Sequence, residues 1–182
     1  GSEMCIRDRC IGCGICQSIA GKENISISMT EKGRLEPKEN KPLNNEIFDK
    51  IKKTCPGVII EGLPKEAIDN KSIYDLVWGY YLSLFYAWST DKDIRFKSST
   101  GGLLNGLSLY LLETNKVKFI LHTGTDPKKP MRSVSRYSYN KQQLLSSGSC
   151  SRYGPSSPLD KFNEALNKNE PFAFVGKPCD IS

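Results

Sequence analysis

The chain has 182 residues and a formal net charge of +6, from 26 Lys and Arg against 20 Asp and Glu. The basic residues are scattered and aromatic side chains do not alternate with them, so a nucleic-acid-binding surface is not predicted. No apolar run approaches the roughly 20 residues of a membrane-spanning helix, which argues against a membrane span.

The two ends of the chain and its cysteine content indicate how much of the sequence is native and in which compartment the protein lies. Residues 1–9 lack the apolar centre of a signal peptide and resemble a short non-native leader, so Cys5 is not expected to be a ligand. The other end stops inside a turn, and we expect the chain to be an N-terminal fragment of a longer protein. Seven cysteines, an odd number, indicate a reducing compartment rather than a disulfide scaffold. The predicted location is therefore cytoplasmic.

A cysteine motif opens the native part of the sequence. It consists of Cys10, Cys13 and Cys16 at C-x2-C-x2-C spacing, followed by Cys55 before Pro56. Three thiols at this spacing cannot pair with one another without strain, but they fit one side of a cubic iron–sulfur cluster whose fourth iron takes a distant thiolate. Gly12 and Gly14 allow the positive φ angles that such a loop needs. The motif predicts a [4Fe–4S] cluster.

Two other metal sites compete with this interpretation. A structural zinc site normally uses two separated C-x2-C pairs, and Cys55 has no partner two or three residues away. A plant-type [2Fe–2S] site could use Cys5, Cys10 and Cys13 together with Cys55, but it would leave Cys16 without a role.

Residues 10–62 are predicted to form a small ferredoxin-like iron–sulfur module. Residues 25–29 alternate apolar and polar side chains and are expected to pair with residues 34–36 as a hairpin. A short helix capped by Asn44 or Asn45 then delivers Cys55. The module has few apolar residues, so its folding is expected to depend on its metal.

The rest of the chain is predicted to be a linker at residues 63–79 and an incomplete α/β domain at residues 80–182. Strands are predicted at residues 81–88, 117–121, 134–139 and 172–175. Helices are predicted at residues 98–114, with an apolar stripe that includes Leu104, Leu107 and Tyr110, and at residues 141–146 and 159–166. Alternating strands and helices indicate an α/β fold with substantial parallel pairing, or a mixed α+β arrangement.

Two stretches of this domain suit an anionic ligand. The first places three hydroxyls and two glycines at a helix start: Ser98, Ser99, Thr100, Gly101 and Gly102. Free N–H groups and the positive end of the helix dipole suit a phosphate there, with ordinary helix capping as the alternative. The second is the loop at residues 148–155, where Arg152 suits an anion and Tyr153 can stack on an aromatic ring. A plain surface loop is the alternative for this stretch.

The turn after the last strand, residues 176–180, is the third candidate. It lies at the carboxyl end of a strand, the edge at which open α/β sheets bind ligands. Cys179 there could ligate a cluster, react chemically or fill space, and its glycine and proline neighbours favour a function. Cys150 lacks such neighbours and is expected to be structural. His122, the single histidine, is expected to be a hydrogen-bonded structural residue.

The order of these motifs resembles the β subunit family of coenzyme F420 hydrogenase/dehydrogenase. The resemblance runs from Cys10 to the end of the chain. It rests on the cysteine motif with Cys55-Pro56, Ser89-Thr-Asp, the 98–102 stretch, Ser151-Arg-Tyr-Gly-Pro155 and Gly176-Lys-Pro-Cys179. Members of the family include the β subunits of F420-reducing hydrogenase and formate dehydrogenase, and the chloroplast 7-hydroxymethyl chlorophyll a reductase.

The resemblance implies an iron–sulfur flavoprotein that binds FAD. Its electrons would pass between clusters and a small organic substrate or cofactor, with ferredoxin or another redox subunit as partner. Cys10, Cys13, Cys16 and Cys55 would hold the [4Fe–4S] cluster. The flavin pocket would be lined by residues 98–102, Arg152 and Tyr153. Lys177 would also contact the cofactor. Cys179 would act near the flavin or ligate a second cluster.

An oxidoreductase that converts one-electron steps into a two-electron transfer is therefore the leading hypothesis. Two other functions stay open. A zinc-stabilised module could bind nucleic acid or an acidic protein partner through its basic groups. A simple ferredoxin-like carrier is the other, although it would leave the α/β domain after the cluster without a role.

Overall fold

The computed structural model describes residues 9–62, 64–146 and 154–181. This part of the chain is a mixed α/β structure, as predicted, with two antiparallel hairpins and one three-stranded sheet. Its helices are α1 (Ile15–Ala20), α2 (Asn45–Thr54), α3 (Lys92–Lys97), α4 (Leu103–Glu113), α5 (Lys141–Ser146), α6 (Phe162–Leu166) and α7 (Pro178–Ile181). Its strands are β1 (Ile25–Met29), β2 (Leu35–Glu39), β3 (Ile73–Asp75), β4 (Gly79–Tyr81), β5 (Phe119–Thr125), β6 (Ser133–Ser138) and β7 (Phe172–Phe174). No helix in the described ranges is long and apolar enough to cross a membrane.

The first hairpin and α2 confirm the predictions made for their residues. β1 and β2 pair antiparallel. Asn44 caps α2, and its side-chain oxygen accepts a hydrogen bond from the N–H of Ile47 at 2.8 Å. The small core beneath these elements consists of Ala20, Ile25 and Ile51. α2 thus ends with its last turn on this core, and Cys55 follows as its C-cap residue.

The three-stranded sheet has the order β6-β5-β7. β5 is antiparallel to β6 and parallel to β7, so the predicted parallel pairing is present in a mixed sheet. The crossover to β7 includes α6, whose Ala165 packs on the fully buried Phe119 and Leu121 of β5. The ring of Phe119 also stacks on Phe172 with centroids 5.2 Å apart. This sheet brings the end of β7, and the turn after it, close to the first part of the chain.

The strand predicted at residues 81–88 is wrong. Tyr81 is the last residue of β4, and the residues after it have no regular secondary structure. Leu84, Phe85 and Tyr86 are almost wholly exposed, Tyr86 at 99%. The β-preference of aromatic and branched residues reflects packing against neighbouring strands, and this segment pairs with no strand of the described chain.

The apolar stripe predicted for α4 does not face the core. Leu104, Leu107 and Tyr110 are each more than half exposed, whereas Leu109 is buried. Leu109 packs with Ile94 of α3 and Leu144 of α5. Large apolar side chains surround most of this helix, so periodicity alone does not select the packed face.

Two elements go beyond the sequence predictions. β3 and β4 form a hairpin inside the predicted linker, where the Asp75 side chain accepts two N–H groups of the turn and Gly79 adopts a φ of 76°. α3 is a short helix capped by Asp91, whose carboxylate accepts the N–H of Ile94 at 3.1 Å. In both elements an aspartate accepts backbone N–H groups, at the hairpin turn and at the start of α3. Each aspartate is a local sequence feature from which the element could have been predicted.

Candidate functional site

The structure brings the four cysteines of the predicted cluster site to one cavity, which we call the cysteine pocket. Its wall consists of Cys10, Cys13, Cys16 and Cys55 together with the glycines and isoleucines around them, including Gly12, Gly14, Ile27 and Ile51. It encloses about 510 Å³ of empty space, including the part open to solvent. Cys13 is buried and the other three thiols are partly exposed. Among the described residues, no group of three His, Cys, Asp or Glu side chains is arranged to hold a single metal ion.

Two glycines shape the loop that carries the first three cysteines. Gly12 has a φ of 69° and Gly14 a φ of 87°, in the left-handed region that favours glycine. A Cβ on Gly12 would lie 2.6 Å from the carbonyl oxygen of Leu35. A Cβ on Gly14 would lie 2.9 Å from the Cβ of Asp160. Both the backbone conformation and the lack of space therefore require glycine at these two positions.

The electrostatic setting of Cys13 disfavours the thiolate unless a cation lies beside it. Burial raises the pKa of Cys13 to about 11, and the negative charges of Cys55, Asp180 and Cys10 add to this effect, while the Ile15 N–H opposes it. A cation at the pocket would reverse this balance, because it favours the thiolate and screens the thiolates from one another. Four thiols around one cavity, three on a glycine-containing loop and the fourth at the end of α2, fit an iron–sulfur cluster as the bound group.

Residues 157–163 hold the cysteine loop from the far end of the chain. The Ser157 hydroxyl donates a hydrogen bond to the Gly12 carbonyl at 2.7 Å, and the Leu159 N–H donates to the Cys13 carbonyl at 2.9 Å. Asn163 bonds to Ser18 twice, through its backbone N–H at 2.8 Å and its side-chain amide at 2.9 Å. The loop is thus fixed by groups up to 145 residues away in the sequence.

A second cavity adjoins the cysteine pocket, and we call it the basic pocket. Its wall consists of Cys10, Ile11, Gly33, Arg34, Leu35, Gly154, Pro155, Ser156 and Lys177. It encloses about 910 Å³ of empty space, including the part open to solvent. Arg34 and Lys177 supply two positive charges, so this pocket suits an anionic group. Cys10 lines both pockets, and a molecule in the basic pocket would therefore lie next to a cysteine of the other.

The turn at residues 176–180 carries two of the predicted site residues. Lys177 faces the basic pocket, and its ammonium lies 3.7 Å from the carboxylate of Asp180. Cys179 is partly exposed in α7 and is not among the residues that line the cysteine pocket. Cys179 therefore does not line the cavity that the other four cysteines share.

The stretch at residues 98–102 has the unusual backbone that its glycines allow. Thr100, Gly101 and Gly102 all have positive φ angles, of 49°, 69° and 70°. A Cβ on Gly102 would lie 3.1 Å from the Ile94 carbonyl oxygen. Gly102 is the N-cap of α4 and has no side chain to cap it. The helix start is thus suited to an anion, but residues 98–102 are not among those that line the basic pocket.

The remaining predicted residues divide into two groups. Cys5, Cys150, Arg152 and Tyr153 lie outside the described residues, and the assignments made for them stay predictions. His122 lies on β5, where its Nε2 is 2.8 Å from the Ser138 hydroxyl, and burial lowers its pKa. This environment agrees with the structural role expected for His122.

Three residues of the site were not found by sequence reasoning. Arg34 lies in a turn that the sequence marks only as the end of a hairpin, and Ser157 has no local signal because its partner is 145 residues away. Asp180 directly follows Cys179 after an apolar strand. A charged residue so close to an apolar strand could have marked Asp180 as a candidate site residue.

Comparison with known proteins gives a family match over part of the chain. Residues 84–162 match the family model described as coenzyme F420 hydrogenase/dehydrogenase, beta subunit N-term. No curated protein matches the chain. Among solved structures, a chain of the F420-reducing [NiFe] hydrogenase complex from Methanosarcina barkeri is 23% identical with a TM-score of 0.47. That match covers 52% of this chain and 32% of the hydrogenase chain, so it spans about a third of that protein's length.

Proposed function

We propose that this chain, whose residues 84–162 match the coenzyme F420 hydrogenase/dehydrogenase β subunit family, is part of an iron–sulfur flavoprotein oxidoreductase. The observation that carries the proposal is the position of Cys10, Cys13, Cys16 and Cys55 around one cavity. The cysteine motif lies outside the matched residues, so the pocket and the family match support the proposal independently.

In this proposal the four cysteines bind a [4Fe–4S] cluster as thiolates. Cys13 is the buried ligand, and Cys10 lies between the cysteine pocket and the basic pocket. Ile27, Ile51 and Val58 line the cysteine pocket and limit the access of water. When bound, the cluster supplies one-electron transfer and FAD supplies the link to two-electron chemistry.

FAD is assigned to residues that suit its phosphates and its ring. The start of α4 at residues 98–102 would bind a phosphate with backbone N–H groups, as expected from the sequence. Arg152 and Tyr153 keep their predicted roles as an anion contact and a stacking surface. Lys177 and Arg34 add positive charge beside Cys10. Cys179 stays a candidate for a reaction near the flavin or for a second cluster.

The partners proposed for the complete protein follow from this chemistry. The electrons would come from ferredoxin or another redox subunit and would reach a small organic substrate or cofactor, F420-type or related. The basic pocket favours an acidic molecule on the side of Cys10, because Arg34 and Lys177 both face it.

The metal content tests the first part of the proposal. The chain is purified without oxygen, and iron, acid-labile sulfide and zinc are measured together with the visible absorption spectrum. We expect brown protein with about four iron and four sulfide per chain. Zinc without sulfide would instead support the zinc-stabilised binding module.

FAD binding tests the second part, with a pair of matched variants on α4. Leu104→Glu puts a carboxylate in the first helical turn, where it stabilises the helix itself but repels a bound phosphate. Leu107→Glu puts the same charge one turn further along, at a side chain of similar exposure. We expect roughly tenfold weaker FAD binding for the first variant and little change for the second, measured by flavin fluorescence. Equal affinities would contradict the assignment of residues 98–102.

A further inference from the structure

Asp180 is a buried acid that the proposed function does not use. Its side chain has no exposed surface. One carboxylate oxygen accepts the backbone N–H of Lys177 at 3.0 Å and lies 3.7 Å from the Lys177 ammonium. The other oxygen is buried and, among the described residues, has no hydrogen-bond partner. The Lys177 side chain, the one cation paired with Asp180 in the part of the chain that the structure describes, is about half exposed.

Two lines of contact place Asp180 next to the cysteine pocket. Phe174 packs against the group of buried residues that contains Cys13, and a Cβ on Gly176 would lie within 3.2 Å of both Phe174 and Asp180. The charge of Asp180 also acts on Cys13, where it is one of the causes of the raised thiol pKa. Asp180 is therefore a buried carboxylate close enough to Cys13 for its charge to act on the thiol.

Such an arrangement is costly for a residue with only a structural role. A buried carboxylate with one unsatisfied oxygen loses the hydration of that oxygen and gains only a long ion pair. An asparagine would accept the same N–H from Lys177 without bringing a charge into the interior. The cost thus points to a use for the charge itself.

We propose that Asp180 is a positioning residue that holds Lys177 at the basic pocket and lowers the reduction potential of the cluster in the cysteine pocket. This inference rests on the proposed function, because it requires the cluster. Reduction adds one electron, and hence one negative charge, to the cluster. A fixed carboxylate next to Cys13 opposes that charge and favours the oxidised form, whereas Lys177 has the opposite and weaker effect because it is more exposed.

The test is a redox titration of the full chain with dithionite as the electron donor, followed by electron paramagnetic resonance of the reduced cluster. Asp180→Asn keeps an acceptor for the Lys177 N–H and removes the charge. At a fixed potential we expect its ratio of reduced to oxidised cluster to rise by on the order of tenfold. Lys177→Gln should lower the ratio, by a smaller factor. Asp93→Asn is the matched control, because Asp93 also pairs with a lysine, Lys97 at 3.0 Å, but on the exposed face of α3.

The outcomes separate this inference from the function on which it rests. A wild-type chain without iron and sulfide would overturn both. A fully loaded Asp180→Asn variant with the potential of the wild type would overturn the inference and leave the cluster in place. If that variant does not fold, Lys177→Gln decides, because removing the cation that pairs with Asp180 must make the potential more negative. An unchanged potential in Lys177→Gln would then overturn the role of the pair.

Discussion

The cysteine loop at residues 10–16 and the aromatic strip at residues 76–88 are both rich in apolar residues. The loop is held by packing and hydrogen bonds, whereas most of the strip is exposed to solvent. The loop at residues 10–16 is fixed by glycines, by a small core and by hydrogen bonds from residues 157–163. The aromatic strip includes Trp78, Leu84 and Tyr86, and most of its apolar side chains are exposed. Ligand spacing therefore identifies a structured region more securely than apolar content does.

The physical reason for this difference is the range of the interactions involved. A metal-binding loop is specified by residues a few positions apart, because the ligands must surround one group. An apolar segment needs a surface to pack against, and that surface cannot be predicted from the sequence of the segment itself. The predictions compare the two regions. They are ordered from the largest expected change in bound iron or in stability to the smallest.

The largest effect is expected for Cys13→Ser. It removes the buried ligand of the proposed cluster, so iron should fall from about four per chain to less than one, and the fold of residues 10–62 should be lost with it. Iron analysis and thermal unfolding measure the two effects. Cys179→Ser is the control, because Cys179 does not line the cysteine pocket, and it should keep its iron. Iron loss in both variants would place Cys179 among the ligands.

A smaller but still large effect is expected for Gly14→Ala. The new methyl group would lie 2.9 Å from the Cβ of Asp160, at a position with a φ of 87°. Gly33→Ala is the matched control, since Gly33 has a φ of 74° but no neighbouring atom within 4 Å of the new Cβ. We expect losses of about 3 kcal/mol at Gly14 and about 1 kcal/mol at Gly33 in urea unfolding. Equal losses would show that residues 157–160 do not hold the loop.

Asp160 should give a pH-dependent effect of intermediate size. Burial raises its pKa, and one of its oxygens has no hydrogen-bond partner among the described residues. The folded chain thus holds the proton more tightly than the unfolded chain, so this contribution to stability is present below about pH 4 and is lost as the pH rises through the raised pKa. Asp160→Asn should therefore be more stable than the wild type at pH 7, by about 1 kcal/mol. The advantage should shrink on acidification towards pH 4, and a constant difference would contradict this assignment.

The smallest effect is expected in the aromatic strip. Tyr86→Ser changes a side chain that is 99% exposed, so the free energy of unfolding should stay within about 0.5 kcal/mol of the wild type. Leu144→Ala is the contrast, because Leu144 is 2% exposed, and it should cost about 2 to 4 kcal/mol. A loss above about 1 kcal/mol for Tyr86→Ser would show that the strip is packed in solution.

The elements that the sequence predicts well are those with a local cause. The first strand of the hairpin, residues 25–29, alternates apolar and polar side chains, and α2 has Asn44 as its cap. The four pocket cysteines follow from their spacing and come together as expected. Residues 81–88 fail as a strand because β-preference depends on a neighbouring strand, and the packed face of α4 depends on α3 and α5.

The parts of the site that the sequence did not indicate depend on distant contacts. Ser157 donates to Gly12 across 145 residues, a pairing that no local pattern encodes. Arg34 joins Lys177 at the basic pocket only because the first hairpin and the turn after β7 meet there. Residues of this kind become visible once the tertiary structure brings the ends of the chain together.

The bonds from Ser157 and Asn163 to the cysteine loop also impose an order in time during biosynthesis. Ribosomes add about 5 to 20 residues per second, so Ser157 is synthesised roughly 7 to 30 s after Gly12. During that interval the thiols, their glycines and α2 are already made, while the segment that fixes the loop does not yet exist. The four pocket cysteines of the nascent chain are therefore synthesised before residues 157–163 can close on the loop.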